Sequence, residues 1–281
     1  FEPGSTMKPF SIVAALEAGK VRPDTKIQTA PGKLTVGDRT IGDAHPHGLL
    51  SVEEVVSKSS NVGTAKIALE LPAQTLWDTY TAAGFGQAPQ LGFPGAVAGR
   101  LRPPKSWRPI EQATISYGHG VSVSLMQLAR AYTAFARDGD MPPLTLLRQE
   151  AAPAGVRVMS HETAMSMRRM LEMAVGPGGT APGARIPGYR VAGKTGTARK
   201  LRGGQYVREY VASFVGFAPV SDPRIVVAVM IDEPGGAYYG GLVAAPVFAQ
   251  ITGATLRTLQ VAPDGPMEEP KAPLLAMREA R

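Results

Sequence analysis

The 281-residue chain contains no cysteine, which excludes disulfides and thiolate metal sites. No apolar run approaches the roughly 18 residues that span a bilayer. Aromatic residues make up only 6% of the chain. None interleaves with the basic residues as a nucleic-acid platform requires, so no nucleic-acid partner is expected. Acidic residues are the minority, 23 against 30 Lys and Arg, for a net charge of +7. The basic residues are scattered, with only Arg199, Lys200 and Arg202 clustered, and such a surface suits an anionic substrate or polymer. Histidines are few. His45-Pro46-His47 has no third ligand in view and a proline between its members, so neither a metal site nor a cofactor is expected. A leader-like segment is also missing. The chain opens directly on a motif, which reads as an internal start.

That motif is Phe1-Glu2-Pro3-Gly4-Ser5-Thr6-Met7-Lys8-Pro9-Phe10. Pro3-Gly4 breaks the backbone, Ser5 is placed to start a helix, and Met7, Phe10, Val13, Ala14 and Leu16 recur at helical spacing up to Gly19. On such a helix Ser5 and Lys8 share a face. A serine hydroxyl becomes a nucleophile when a neighbour takes its proton, and a lysine can do so once burial or a nearby positive charge lowers its pKa. The plainer reading is a capping serine beside an exposed lysine.

Further along, residues 20–50 read as loop with short strands. Ser51 caps a helix with Glu53 and Glu54 in its first turn. Ser59-x-Asn61 falls in the break before a second apolar helix, Thr64 to Leu71. Trp77 and Tyr80 anchor a small helix within the loop-rich 72–100 stretch, and Tyr117 and His119 sit on a glycine-flanked loop ahead of a helix from Ser124 to Arg137. Another helix runs from His161 to about Ala174, with Met165, Met167, Met170 and Met173 as core filler. Residues 189–200, 206–218 and 224–232 form a three-stranded antiparallel meander, followed by an apolar helix from Val243 to Leu259. Residues 261–281 read as a flexible tail behind one domain over 1–260.

One motif points elsewhere. Gly188 to Thr195 satisfies G-x-x-x-x-G-K-[ST], the phosphate-binding loop pattern. That loop needs a strand before the first glycine and a helix opening at the lysine. Pro187 precedes the glycine here, and Thr195-Gly196-Thr197 favours extended backbone. Nucleotide binding is therefore not expected.

Ser5-x-x-Lys8, Ser59-x-Asn61 and Lys194-Thr195-Gly196 are individually weak, but their order matches the motif set of serine penicillin-recognising enzymes. With the flanking Phe-Glu-Pro-Gly-Ser, Lys-Ser-Ser-Asn-Val-Gly, Ser-Tyr-Gly-His-Gly and Gly-Lys-Thr-Gly-Thr-Ala stretches, residues 1–255 resemble class B penicillin-binding proteins. Within these the likeness is greatest to the septal peptidoglycan D,D-transpeptidases of FtsI type. The resemblance implies an α+β fold of the β-lactamase/transpeptidase kind: an antiparallel sheet flanked by helices, a helical subdomain, and a cleft between. It also implies preceding strands, a pedestal domain and an N-terminal membrane anchor, hence a place at the periplasmic face of the inner membrane.

Carried over residue by residue, it makes Ser5 the nucleophile toward a stem peptide or a β-lactam, and Lys8 the base. Ser59 becomes the proton relay, and Asn61 a clamp on Lys8 and the substrate amide. Lys194 supplies positive charge. The N–H groups of Ser5 and Thr197 form an oxyanion hole, and the hydroxyls of Thr195 and Thr197, flanking Gly196, bind a carboxylate. Tyr117, Tyr238 and Tyr239 line the cleft, with His119 where relatives often carry a second tyrosine, and Arg199 assists carboxylate binding. A septal glycosyltransferase and other divisome proteins are the implied partners. Alternatives are a β-lactamase or D,D-carboxypeptidase, for which Glu70 and Glu111 are the acids to locate, and a non-catalytic β-lactam sensor.

Overall fold

The computed structural model describes residues 1–151 and 153–267. A 3-10 turn, Gly4–Met7, runs into α1 (Lys8–Glu17), so the helix expected from Ser5 begins as a tighter turn. Gly19, at φ +63°, ends it as expected. The next stretch holds two small ribbons: β1 (Lys26–Gln28) pairs with β4 (Leu49–Ser51), and β2 (Lys33–Val36) with β3 (Arg39–Gly42). Then come α2 (Val52–Ser57), α3 (Asn61–Leu69) and α4 (Ala73–Ala82). α2 opens with a full capping box between Ser51 and Glu54. α3 starts at Asn61 and not at Thr64, because Ser60 is its cap and accepts from Gly63 N.

A helix not anticipated, α5 (Pro109–Ile115), precedes α6 (Leu125–Ala136), which Ser124 and Gln127 cap reciprocally. The bridge pair β5 (Asp140–Met141) and β6 (Val156–Arg157) leads to α7 (His161–Val175). Met167 and Met170 on α7 are core, whereas Met173 faces solvent, contrary to the expectation for all four methionines.

The expected meander is present as β7 (Ala192–Arg202), β8 (Gln205–Ala218) and β9 (Ile225–Asp232), antiparallel in that order. The closing helix is split at Ala244 into α8 (Gly240–Val243) and α9 (Ala245–Thr258), with Pro246 in the first turn of α9. Lys194 lies in strand β7, so no helix opens at it and the phosphate-loop reading fails.

Alternation along β8 divides the core in two. Val215 and Phe217 point into a large cluster with α1, α6 and α7; Phe214 and Ala218 point into a second cluster with Phe248 and Leu256 of α9. Helices therefore cover both faces of the sheet. The first seven residues of the expected tail are tied down: Tyr189 donates to Val261 O at 2.7 Å, and Asp264 accepts from Arg190 N and Ser221 Oγ. The remainder, 268–281, lies outside the described residues.

Candidate active site

Ser5 owes its position to glycines. Gly4 takes φ +54°, and a Cβ on it would meet Thr197 O at 3.2 Å. Its N–H donates to Gly118 O, and a Cβ on Gly118 would come within 2.1 Å of Gly4 O. Across the strand, a Cβ on Gly196 would strike Ser213 Oγ at 2.3 Å and Pro3 O at 2.7 Å. The absence of side chains at these three points lets the serine turn seat directly on β7 and on the 117–120 loop. Beneath it, Tyr132 OH donates to Thr6 O at 2.9 Å and Thr6 Oγ1 to Pro3 O at 2.8 Å. Ser5 itself opens onto a cavity of about 910 Å3.

Two lysines meet below that cavity. Lys8 and Lys194 are both fully buried, and both donate to one hydroxyl, Ser59 Oγ, at 3.1 and 2.8 Å. Lys8 Nζ also donates to Ser59 O, and Lys194 Nζ reaches Thr195 O and Oγ1, each at 3.4 Å. Among the described residues neither forms an ion pair. Burial and then the charge of Lys194 hold Lys8 well below the ordinary lysine range, with Asp43 opposing weakly. Burial pushes Lys194 down to about 7. Ser59 holds its place between them at φ +61°, a left-handed conformation costing a serine roughly 1–2 kcal/mol. Such strain commonly marks a residue whose side-chain direction matters.

Asn61 departs from expectation. Its Nδ2 donates to Gly42 O at 2.8 Å, Lys8 Nζ donates to Ser59 O and Oγ, and among the described residues no Asn61–Lys8 hydrogen bond is made. The backbone beside it is held by Asp43, which sequence reasoning missed. Its carboxylate accepts from the backbone N–H of Asn61 and Val62 and from Ser60 Oγ at 2.8 Å, fastening the α3 N-terminus to the β3–β4 connection. A carboxylate suits the positive end of a helix.

Strand β7 forms the opposite wall. Thr197 Oγ1 accepts from Gly240 N at 3.0 Å, and Thr195 Oγ1 lies 3.0 Å from Thr180 Oγ1, another residue sequence reasoning missed. Both threonines line the cavity, as do Arg199, Tyr117, Tyr238 and Tyr239. Tyr238 stacks on Tyr210 at 4.1 Å and leans on Tyr239 at 4.7 Å, and Arg199 lies 6.0 Å over the Tyr210 ring. Tyr210 extends the expected aromatic wall; it shares a face of β8 with Phe214 and Ala218 and lies just before the strand becomes buried from Val211 onward. Tyr117 is buried against Ile41, Ala65 and Ala113, and burial pushes its phenol up to about 12.

The chemistry available is acyl transfer: a half-buried hydroxyl, buried amines of low proton affinity, and a polar strand edge. Neither acid flagged for activating water is at the site. Glu111 caps α5, accepting from Arg108 N, and pairs with Arg102 at 2.8 Å, which holds it down to about 2. Glu70 follows α3, away from the cavity. Among the described cavity-lining residues the one acid is Asp43, and its oxygens are already occupied.

Residues 1–253 match the family model described as penicillin binding protein transpeptidase domain. The chain is 45% identical over 268 residues to a probable peptidoglycan D,D-transpeptidase PenA of Neisseria gonorrhoeae, covering 95% of this chain and 46% of that protein. It is 40% identical over 266 residues to the peptidoglycan D,D-transpeptidase FtsI of Escherichia coli K12, covering 94% and 45%. The chain thus spans a little under half the length of these relatives. Among solved structures, the TP domain of penicillin-binding protein 3 from Burkholderia pseudomallei superposes with a TM-score of 0.91 at 52% identity, covering 95% of this chain and 82% of that one. The expected α+β transpeptidase fold is the observed one, and the chain belongs to the penicillin binding protein transpeptidase domain family.

Proposed function

We propose that this domain is a peptidoglycan D,D-transpeptidase acting through an ester on Ser5. The observation that carries the reading is the convergence of two wholly buried lysines on one hydroxyl beside the serine turn. In the first half-reaction Ser5 Oγ bonds to the carbonyl carbon of the penultimate D-Ala while Lys8 takes its proton. The tetrahedral oxyanion faces the N–H groups of Ser5 and Thr197, each such donor being worth roughly 2.7–4 kcal/mol in other enzymes. The C–N bond then breaks, and the proton passes from Lys8 through Ser59 to the departing D-Ala amine. In the second half-reaction an amine of another stem peptide attacks the ester and gives its proton to Lys8. The C–O bond breaks and Ser5 regains its hydrogen. Thr195, Thr197 and Arg199 hold the donor's terminal carboxylate, with Lys194 charged behind them. Gly196 keeps that strand close to Ser5, and Asn61 contacts the substrate amide.

β-Lactams are taken as inhibitors by the same chemistry, because the strained amide acylates Ser5. We place the protein at the periplasmic face of the inner membrane, in septal wall synthesis beside a glycosyltransferase and other divisome proteins, on its likeness to relatives of FtsI type. The absence of a free acid among the described cavity-lining residues favours transfer to an amine over hydrolysis. The test offers an acyl-D-Ala-D-Ala donor together with an amino-bearing acceptor peptide. D-Ala release with a new cross-linked amide is expected. Release with only hydrolysed donor would move the assignment to a carboxypeptidase.

A further inference from the structure

Beyond its contact with β9, the β7–β8 hairpin is a two-stranded ribbon. Pairing between β8 and β9 stops at Val211 and Asp232, whereas β7 and β8 continue together to Arg202 and Gln205. An isolated two-stranded ribbon is marginal in water. Its base carries Arg199 and Tyr210, both on the cavity wall, so the pose of the hairpin sets the shape of the cleft. On one side it is held by Lys200 and Arg202, which pair with Asp232 and Glu233.

On the other side stands Glu2, three residues before the nucleophile. Its carboxylate accepts from Tyr206 OH at 3.0 and 3.1 Å, from His119 Nδ1 at 3.3 Å and from Gly120 N at 2.8 Å. Its side chain is only 15% exposed. Burial pushes its pKa up, but the His119, Gly120 and Tyr206 hydrogen bonds outweigh that and hold it net below the usual range. The His119 ring sits edge-on between Tyr117 at 5.4 Å and Tyr206 at 5.6 Å. One carboxylate thus joins the serine turn, the glycine-flanked loop and the overhanging hairpin. Nothing in its immediate sequence marks it for that task.

We propose that Glu2 is a positioning residue: through Tyr206 and His119 it clamps the β7–β8 hairpin onto the serine turn and so fixes the ligand-binding width of the cleft. The kinetic part of this rests on the acyl-transfer reading; the structural part does not.

The test compares wild type with Glu2→Gln, Tyr206→Phe and the double variant, by hydrogen exchange over residues 200–210 and by the kinetics of benzylpenicillin acylation. Exchange in 200–210 should rise about tenfold in Glu2→Gln, with the double variant no faster, as members of one interaction are non-additive. Acylation should lose about tenfold through weaker initial binding, with the limiting rate within about twofold, the mark of lost ligand fit and not of lost chemistry. Unchanged exchange in Glu2→Gln, or additive effects, would overturn the clamp. Faster exchange with wild-type acylation would overturn its positioning role. Should Glu2→Gln fail to fold, Tyr206→Phe decides by the same exchange readout. A wild type that never acylates would sink the acyl-transfer reading, while the exchange data would still decide the clamp.

Discussion

At the scale of single residues, Ser59 gathers more of the site than any other side chain. Its hydroxyl is shared by Lys8 and Lys194, and its backbone is held at φ +61°. Ser59→Ala and Ser59→Gly both delete the hydroxyl, yet only glycine relieves the left-handed strain. We expect Ser59→Gly to be more stable than Ser59→Ala by about 1 kcal/mol, with both acylating equally slowly. Chemical denaturation beside acylation kinetics checks this, and equal stabilities would show that the conformation is unstrained. The lysines supply a second prediction. In the proposed mechanism Lys8 serves as base only when neutral, so acylation should rise with pH through its depressed pKa. In the same mechanism Lys194 contributes charge only while protonated, so the rate should fall as pH passes about 7. Lys194→Arg keeps its charge above that point and should move the falling limb upward. A limb that stays where it was would mean that Lys194 does not set it.

At the scale of elements, the three glycine contacts under the serine turn explain how two segments nearly two hundred residues apart come to touch. Gly196→Ala pushes a methyl into Ser213 Oγ and Pro3 O. We expect a loss of about 1–3 kcal/mol, the usual range for an overpacked core, with acylation down about a hundredfold as Ser5 shifts from β7. Calorimetry with acylation kinetics measures both, and near-normal acylation would show that β7 need not lie so close. Elements with local signals were legible in the sequence: Ser51 with Glu54 and Ser124 with Gln127 announce α2 and α6, and the turns at 203–204 and 219–223 bound the meander. The start of α3 was misplaced because its cap, Ser60, lies inside the motif and its anchor, Asp43, is far upstream. α5 was not anticipated, although Pro109 stands in its first turn, where proline is welcome.

At the scale of the whole molecule, the sheet with helices on both faces places three motifs, scattered over the chain, around one cavity. The motif residues could be read from the sequence because their types and order are tied to one chemistry. Asp43, Thr180, Tyr210 and Glu2 could not, since each acts through a partner distant in sequence, and an isolated aspartate or tyrosine carries no sign of what it will meet. Asn61 shows the converse: the motif names the residue, but the surrounding contacts decide which atom it holds.

The proposed mechanism requires that Ser5 form a lasting ester with a carbonyl donor. Its most direct test is intact mass after mixing with benzylpenicillin, followed over hours, for wild type beside Ser5→Ala. A single adduct of the whole antibiotic is expected on the wild type, persisting for many minutes and absent from a folded Ser5→Ala. An adduct retained by Ser5→Ala, or none on a folded wild type, would contradict it.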